Sequence, residues 1–172
     1  MALKRLIPIQ DTFIISASNY NYGADEILEL GSTESARILI QFSGTQIKSL
    51  LDMLREKKDQ VKATLHLALS EARNLPGIFS VEATTLSQDW VEGLGQTGDS
   101  LSQGASWNYT GQEENTWNTP GAFSREGTIV SQSVDGRSLL GDINLDITDI
   151  VLSSSQSLAD YGICLKFKDE EE

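Results

Sequence analysis

The chain has 172 residues and a formal net charge of −12. That length fits one domain of about 100–200 residues, and a chain of this size hides about 70% of its unfolded surface, enough to fold without a disulfide or a structural metal. Four of the negative charges sit in 169–172, which leaves −8 on the body; such a body argues against nucleic-acid partners, whose affinity comes from Lys and Arg on phosphates, and against anionic membrane surfaces.

In chain order, 10–16 is rich in branched and aromatic residues and reads as a strand. Asn19-Tyr20-Asn21-Tyr22-Gly23 reads as a shaped loop, because Asn and Gly tolerate left-handed backbone. Segments 26–31 and 36–42 read as two further strands, the second with Ile38, Ile40 and Phe42 on one face. Ile47, Leu50, Leu51 and Leu54 then recur at helical spacing, predicting one amphipathic helix over about 45–60, capped by Ser43 or Thr45 and ending in Arg55, Lys57, Lys58 and Asp59. Period two returns over 61–69 and again at Phe79, Val81 and Ala83.

From 87 to 126 Gly, Ser, Thr, Asn and Gln dominate, and all three tryptophans, Trp90, Trp107 and Trp117, lie in this stretch. A structureless run so long is unusual inside a compact domain. The expectation is a functional loop held down by its indoles, each of which contributes a large apolar contact. Strands are expected at 128–134, at 142–150 with Ile143, Leu145 and Ile147 inward, and at 162–168. The stretch from Thr148 to Leu152 can open a short helical turn. The sum is an all-β domain over 1–168, a β-sandwich or jelly roll of about eight strands with one helix. The acidic tail 169–172 is expected to fray. No repeat of 20–50 residues is present.

Chemistry is sparse. His66 falls on the polar face of its strand, with no nucleophile and orienting acid at recognisable spacing. Cys164, the single cysteine, reads as a small buried hydrophobe. Gly93, Gly95 and Gly98 spell Gly-x-Gly-x-x-Gly, but no strand and helix flank them as a dinucleotide site requires. Asp89, Glu92 and Asp99 lie near tryptophans, as the carboxylates of a glycoside hydrolase would. Asp142, Asn144, Asp146 and Asp149 alternate along or just past a strand and are weak calcium-ligand candidates, without an EF-hand pattern. Asn108-Tyr109-Thr110 is a glycosylation sequon. Trp107, Tyr109 and Trp117 are the candidates for contacts with a partner or a glycan. No enzyme activity, cofactor or metal is expected. No apolar run approaches the ~20 residues of a spanning helix, and Asp11 interrupts the opening apolar stretch too soon for a secretory signal, so synthesis in the cytoplasm is expected.

Several runs, taken together in order, resemble the DNRLRE-type jelly-roll module. They are Asp11-Thr12-Phe13-Ile14, the Asn19 to Gly23 loop, Leu28-Glu29-Leu30-Gly31, Arg37 to Phe42, Ala63 to Leu67, Asp89-Trp90-Val91-Glu92-Gly93, Asn115-Thr116-Trp117-Asn118, Asp146 to Val151 and Tyr161 to Phe167. The resemblance runs from about Ile9 to Lys168. It implies a β-sandwich that serves as a non-catalytic module on secreted bacterial proteins and on phage particles. With no leader or attached enzyme domain evident, the chain closely resembles stand-alone virion structural proteins of tailed phages, particularly contractile-tailed phages of marine bacteria. There Trp107-Asn108-Tyr109 and Thr116 to Ala122 have counterparts in the same order. The resemblance implies residence in the virion after synthesis in the host cytoplasm, and partners among other virion proteins, including copies of the chain itself in a symmetric assembly. The alternatives are a module binding a cell-surface glycan and, behind it, a glycoside hydrolase.

Overall fold

A computed structural model describes residues 3–16, 18–54, 61–71, 77–96, 103–111, 115–136 and 141–170. Among these the elements are β1 (Pro8–Ile15), β2 (Ala36–Phe42), α1 (Gly44–Leu54), β3 (Thr64–Leu67), β4 (Ile78–Thr85), β5 (Val130–Asp135), β6 (Ile143–Asp146), α2 (Thr148–Ser153), α3 (Ser155–Asp160) and β7 (Ile163–Phe167). Five strands form one antiparallel sheet in the order β1-β2-β7-β4-β5, and β3 pairs with β6 in a second. The architecture is therefore all-β in two antiparallel sheets with few helices, as in a β-sandwich. Among the described residues it has seven strands, where about eight are expected, and three short helices, where one is expected.

The central strands β2 and β7 of the large sheet are buried on both faces. Side chains alternate across a strand, so β2 sends Ile38, Ile40 and Phe42 one way and Arg37 and Leu39 the other, and all five are buried. The first set joins Phe13, Val81, Ile163, Leu165 and Phe167, and is covered by Leu65 and Leu145 of the small sheet and by Ile47, Ile150 and Leu158 of the helices. The opposite face, from Ile14, Leu39 and Cys164, packs on Leu86, Trp90, Ala105, Trp117, Ala122 and Phe123. The irregular stretch after β4 is thus a third layer. It occupies the place where a two-layer sandwich would meet water.

Three expected elements differ. Segment 26–31 is not a strand: it makes one bridge, Gly31 to Ala36, because both edges of β2 are already taken by β1 and β7. Leu28 and Leu30 still lean on the core. The strand expected over 61–69 is confined to Thr64–Leu67, because side chains take over the ladder at both ends. There Ala63 N–H donates to Thr148 Oγ1 (2.9 Å) and Leu69 N–H to Asp142 Oδ1 (3.1 Å). α3 follows α2 directly and packs on α1, with the Cα of Gly44 facing the backbone of Ala159. Ser43 sits before α1, its Oγ 3.4 Å from Gln46 N and its carbonyl accepting from Ile47 N–H. The expected polar end of that helix at 55–60 lies outside the described residues.

Leu39→Ala removes a fully buried side chain between the sheet and the loop layer, and is expected to cost about 2–5 kcal/mol of unfolding free energy. Urea denaturation of the two chains checks this; a cost near that of an exposed-site change would mean the loop layer does not seal the sheet.

Candidate interaction surface

The loop layer is irregular yet closely tied down. Asn21, 1% exposed, is its hub. Its Nδ2 donates to the carbonyls of Glu92 (2.6 Å) and Ala105 (3.0 Å), and its Oδ1 accepts from Gly95 N–H (2.9 Å) and Gly23 N–H (3.3 Å). One side chain thereby meets backbone groups that no sheet ladder satisfies. Gly93 has φ 79°, and a Cβ there would lie 2.3 Å from Asn21 Oδ1, so both conformation and space demand glycine. The described part of the Gly-x-Gly-x-x-Gly run therefore serves packing on Asn21; positions 97 and 98 lie outside the described residues.

The indoles act as expected anchors. Trp90 Nε1 donates to Tyr161 O and Trp117 Nε1 to Ser106 O, both at 2.9 Å, with each ring buried. Backbone bonds lace the layer together: Val91 N to Thr110 O, Ala105 N to Val91 O, Trp117 N to Asn108 O and Gly121 N to Trp107 O. Trp117 is thus a core residue, and burial removes it from the candidates for an outward contact. Trp107 is half-buried with the Arg37 guanidinium 4.5 Å above its ring, and Tyr109 is half-buried.

Arg37, Lys166 and Glu170 form a buried charge cluster. The Glu170 carboxylate is fully buried and accepts from Arg37 Nε and Nη2, the latter at 2.7 Å; Lys166 Nζ lies 3.4 Å from the same carboxylate. Arg37 Nη1 donates to Gly121 O (2.9 Å), and Lys166 stands 5.1 Å from the Phe123 ring. Gly121 (φ 75°) and Ala122 (φ 63°) are both left-handed in this turn, and a Cβ on Gly121 would strike the Arg37 guanidinium and the Trp107 ring. The expectation that 169–172 frays is corrected at Glu170: two buried cations need an anion, and this residue supplies it. Sequence reasoning passed over these residues, although a charge inside each of two apolar strands, Ala-Arg-Ile-Leu-Ile and Ile-Cys-Leu-Lys-Phe, was the available signal.

The remaining candidates are dispersed. Glu92 Oε1 accepts from Asp11 N–H (2.9 Å) at the outer edge of β1. Burial and, second, the nearby Glu92 charge hold the Asp11 carboxyl above its ordinary pKa. Asp89 is exposed beside a shallow polar depression with Lys48, Asp160 and Tyr161, where Asp160, its pKa lowered by hydrogen bonds from Gln156 and Lys48, pairs with Lys48 at 3.0 Å. Asp99 lies outside the described residues. His66 pairs across the small sheet, Nδ1 2.7 Å from Asn144 Oδ1 and Nε2 3.0 Å from Asp142 Oδ2. Asp146 Oδ1 accepts from Thr148 N–H, and its pKa is lowered by its hydrogen bonds to Thr148; Asp149 sits exposed in the first turn of α2. Asp142, Asn144 and Asp146 are thus used within the small sheet, and among the described residues no group of three or more His, Cys, Asp or Glu is placed to hold a metal. Cys164 is buried, which pushes its thiol up to about 12. No helix among the described residues is long and apolar enough to cross a membrane. No family model, curated protein or solved structure matches the chain.

Glu170→Ala leaves two buried cations without their anion and is expected to cost about 3–5 kcal/mol. Truncation after Lys168 is expected to match it in thermal melts; an unchanged Tm for both would refute the cluster. Asp11→Asn is expected to raise Tm at neutral pH. A carboxyl whose pKa is raised on folding stabilises below its unfolded pKa, and that contribution is lost as pH rises through the folded value. The gain should therefore fade when the pH falls below the ordinary carboxylate range, which melts across pH will read.

Proposed function

We propose that the chain is a non-enzymatic structural component of a tailed-bacteriophage particle, a jelly-roll module of DNRLRE type that sits in the neck, tail, fibre or capsid decoration. It acts by packing against copies of itself and neighbouring particle proteins. The observation that carries this reading is the loop layer. A long, polar, irregular surface is held in one arrangement by Asn21, two buried indoles and a buried charge cluster. A surface ordered before contact loses little freedom on docking, which suits an assembly protein. The order and spacing of the motifs that resemble those of virion proteins support the same reading. The acidic exterior keeps such a protein off packaged DNA.

Immunogold labelling of purified phage particles with an antibody against this chain is the test. Gold at one defined substructure is expected. Gold confined to fibre tips would move the reading to binding of a host glycan, and protein found free in the lysate with bare particles would overturn it.

A further inference from the structure

Charge is distributed unevenly along the chain in a way that the fold makes spatial. No Lys or Arg occurs between Arg5 and Arg37, or between Arg73 and Arg125. These two stretches supply β1, the 18–35 loops and nearly all of the loop layer, and Arg37 itself is buried beneath them. The 20–29 and 91–96 loops are joined by Ala24 N–H to Gly95 O (2.8 Å) and by Asn21 to Glu92 and Gly95. Around this junction stand exposed apolar side chains, Ile27, Val91 and Leu94, the last 86% exposed. Glu26 and Glu29 flank Ile27 and are exposed as well. The exposed side chains of these two joined loops thus include three large apolar ones and two acids, and neither loop carries a Lys or Arg.

The segment leading into β1 has the opposite character. In Leu3-Lys4-Arg5-Leu6-Ile7-Pro8-Ile9, Leu6 alone of the large apolar side chains packs on the core. Leu3 is 82% exposed, Ile7 79% and Ile9 62%, with Lys4 and Arg5 exposed between them. The chain thus leaves uncovered both an apolar basic segment and an apolar acidic face. Large exposed apolar patches rimmed by polar residues mark interaction sites.

We propose that segment 3–9 of one copy docks on the Ile27, Val91 and Leu94 face of a second copy, Lys4 and Arg5 meeting Glu26 and Glu29. This deepens the assembly reading above by naming the partner of that surface. Charge complementarity selects the second copy: on a chain of net charge −12, two like faces would repel, whereas basic segment on acidic face attracts. The contact joins different patches on its two members, so it either closes reciprocally as an arm-exchanged pair or repeats head to tail into a ring or filament. Strand addition along β1 is not its basis, since Glu92 already occupies the outward N–H of Asp11.

The test is disulfide exchange between two exposed single-site variants, Ile7→Cys and Leu94→Cys. Cys164 is buried and stays silent. When the two full-length variants are mixed under mild oxidation, the mixed dimer is expected to exceed both like-with-like dimers several-fold. Lys4→Glu with Arg5→Glu should abolish that excess, and Glu26→Lys with Glu29→Lys on the other variant should restore it. About 1 M salt, which shortens the screening length to about 3 Å, should weaken it. Only like-with-like dimers, no cross-link, or indifference to charge reversal would each overturn the proposal, provided circular dichroism shows the variants folded. Particle labelling is independent of this outcome. Gold on the particle without exchange sinks this contact alone, while exchange without gold sinks the virion reading and leaves the contact standing.

Discussion

A guanidinium lies between a sheet and an irregular loop, in a place where water does not satisfy it, and much of the molecule is arranged around that fact. Arg37 sits mid-sheet on β2, facing the loop layer. Burying a lone charge is costly, so partners must come to it. Glu170 arrives from beyond β7 with its carboxylate fully buried, Gly121 turns its carbonyl inward, and the Trp107 ring covers the guanidinium. Lys166 adds a second cation on the neighbouring strand and shares the same carboxylate. Segments far apart in sequence, β2, the 107–123 turn and the stretch after β7, are held in register by one ionic group.

The same constraint governs the backbone of the loop layer. A sheet covered by another sheet satisfies its N–H and C=O groups by ladders; a sheet covered by a loop cannot. Here the loop's peptide groups are met by side chains and by bonds across the loop. Asn21 serves four backbone partners and the two indole N–H groups reach carbonyls at Tyr161 and Ser106. Gly93 is glycine because the Asn21 amide fills the space where a side chain would stand. The polar composition of 87–126 is therefore that of a covering layer that carries its own hydrogen-bond partners.

The sequence made the strands with clean alternation legible. Phe79, Val81 and Ala83, and Ile163, Leu165 and Phe167, face the core where period two puts them, and the helical spacing at Ile47 marks α1. Anchoring of the long loop by tryptophan was also legible, and Trp90 and Trp117 fulfil it, while Trp107 is half-buried. Burial of both faces was not: Leu39 reads as the outward position of a half-buried strand until the loop layer covers it, although Cys164 by itself reads as buried. Segment 26–31 has strand-like residues, but both edges of β2, which its one bridge reaches, are already taken by β1 and β7. Glu170 reads as one of four terminal acids, and only its distance to Arg37 sets it apart. Asn21 looks like any loop asparagine, because its role depends on carbonyls more than seventy residues away.

The position of β7 has a consequence for how the chain reaches this state. β7 follows every other strand in sequence, yet it lies at the centre of the large sheet, between β2 and β4. The β1–β2 and β4–β5 pairs are both made from chain that precedes β7, and among the described residues no strand of one pairs with a strand of the other. Until residues 163–167 emerge and insert, β2 and β4 each expose an unpaired apolar edge of the kind that templates mispairing between chains. During synthesis on a ribosome the two strand pairs thus stay unjoined until β7 is made. Its insertion closes the sheet and carries Glu170 to Arg37.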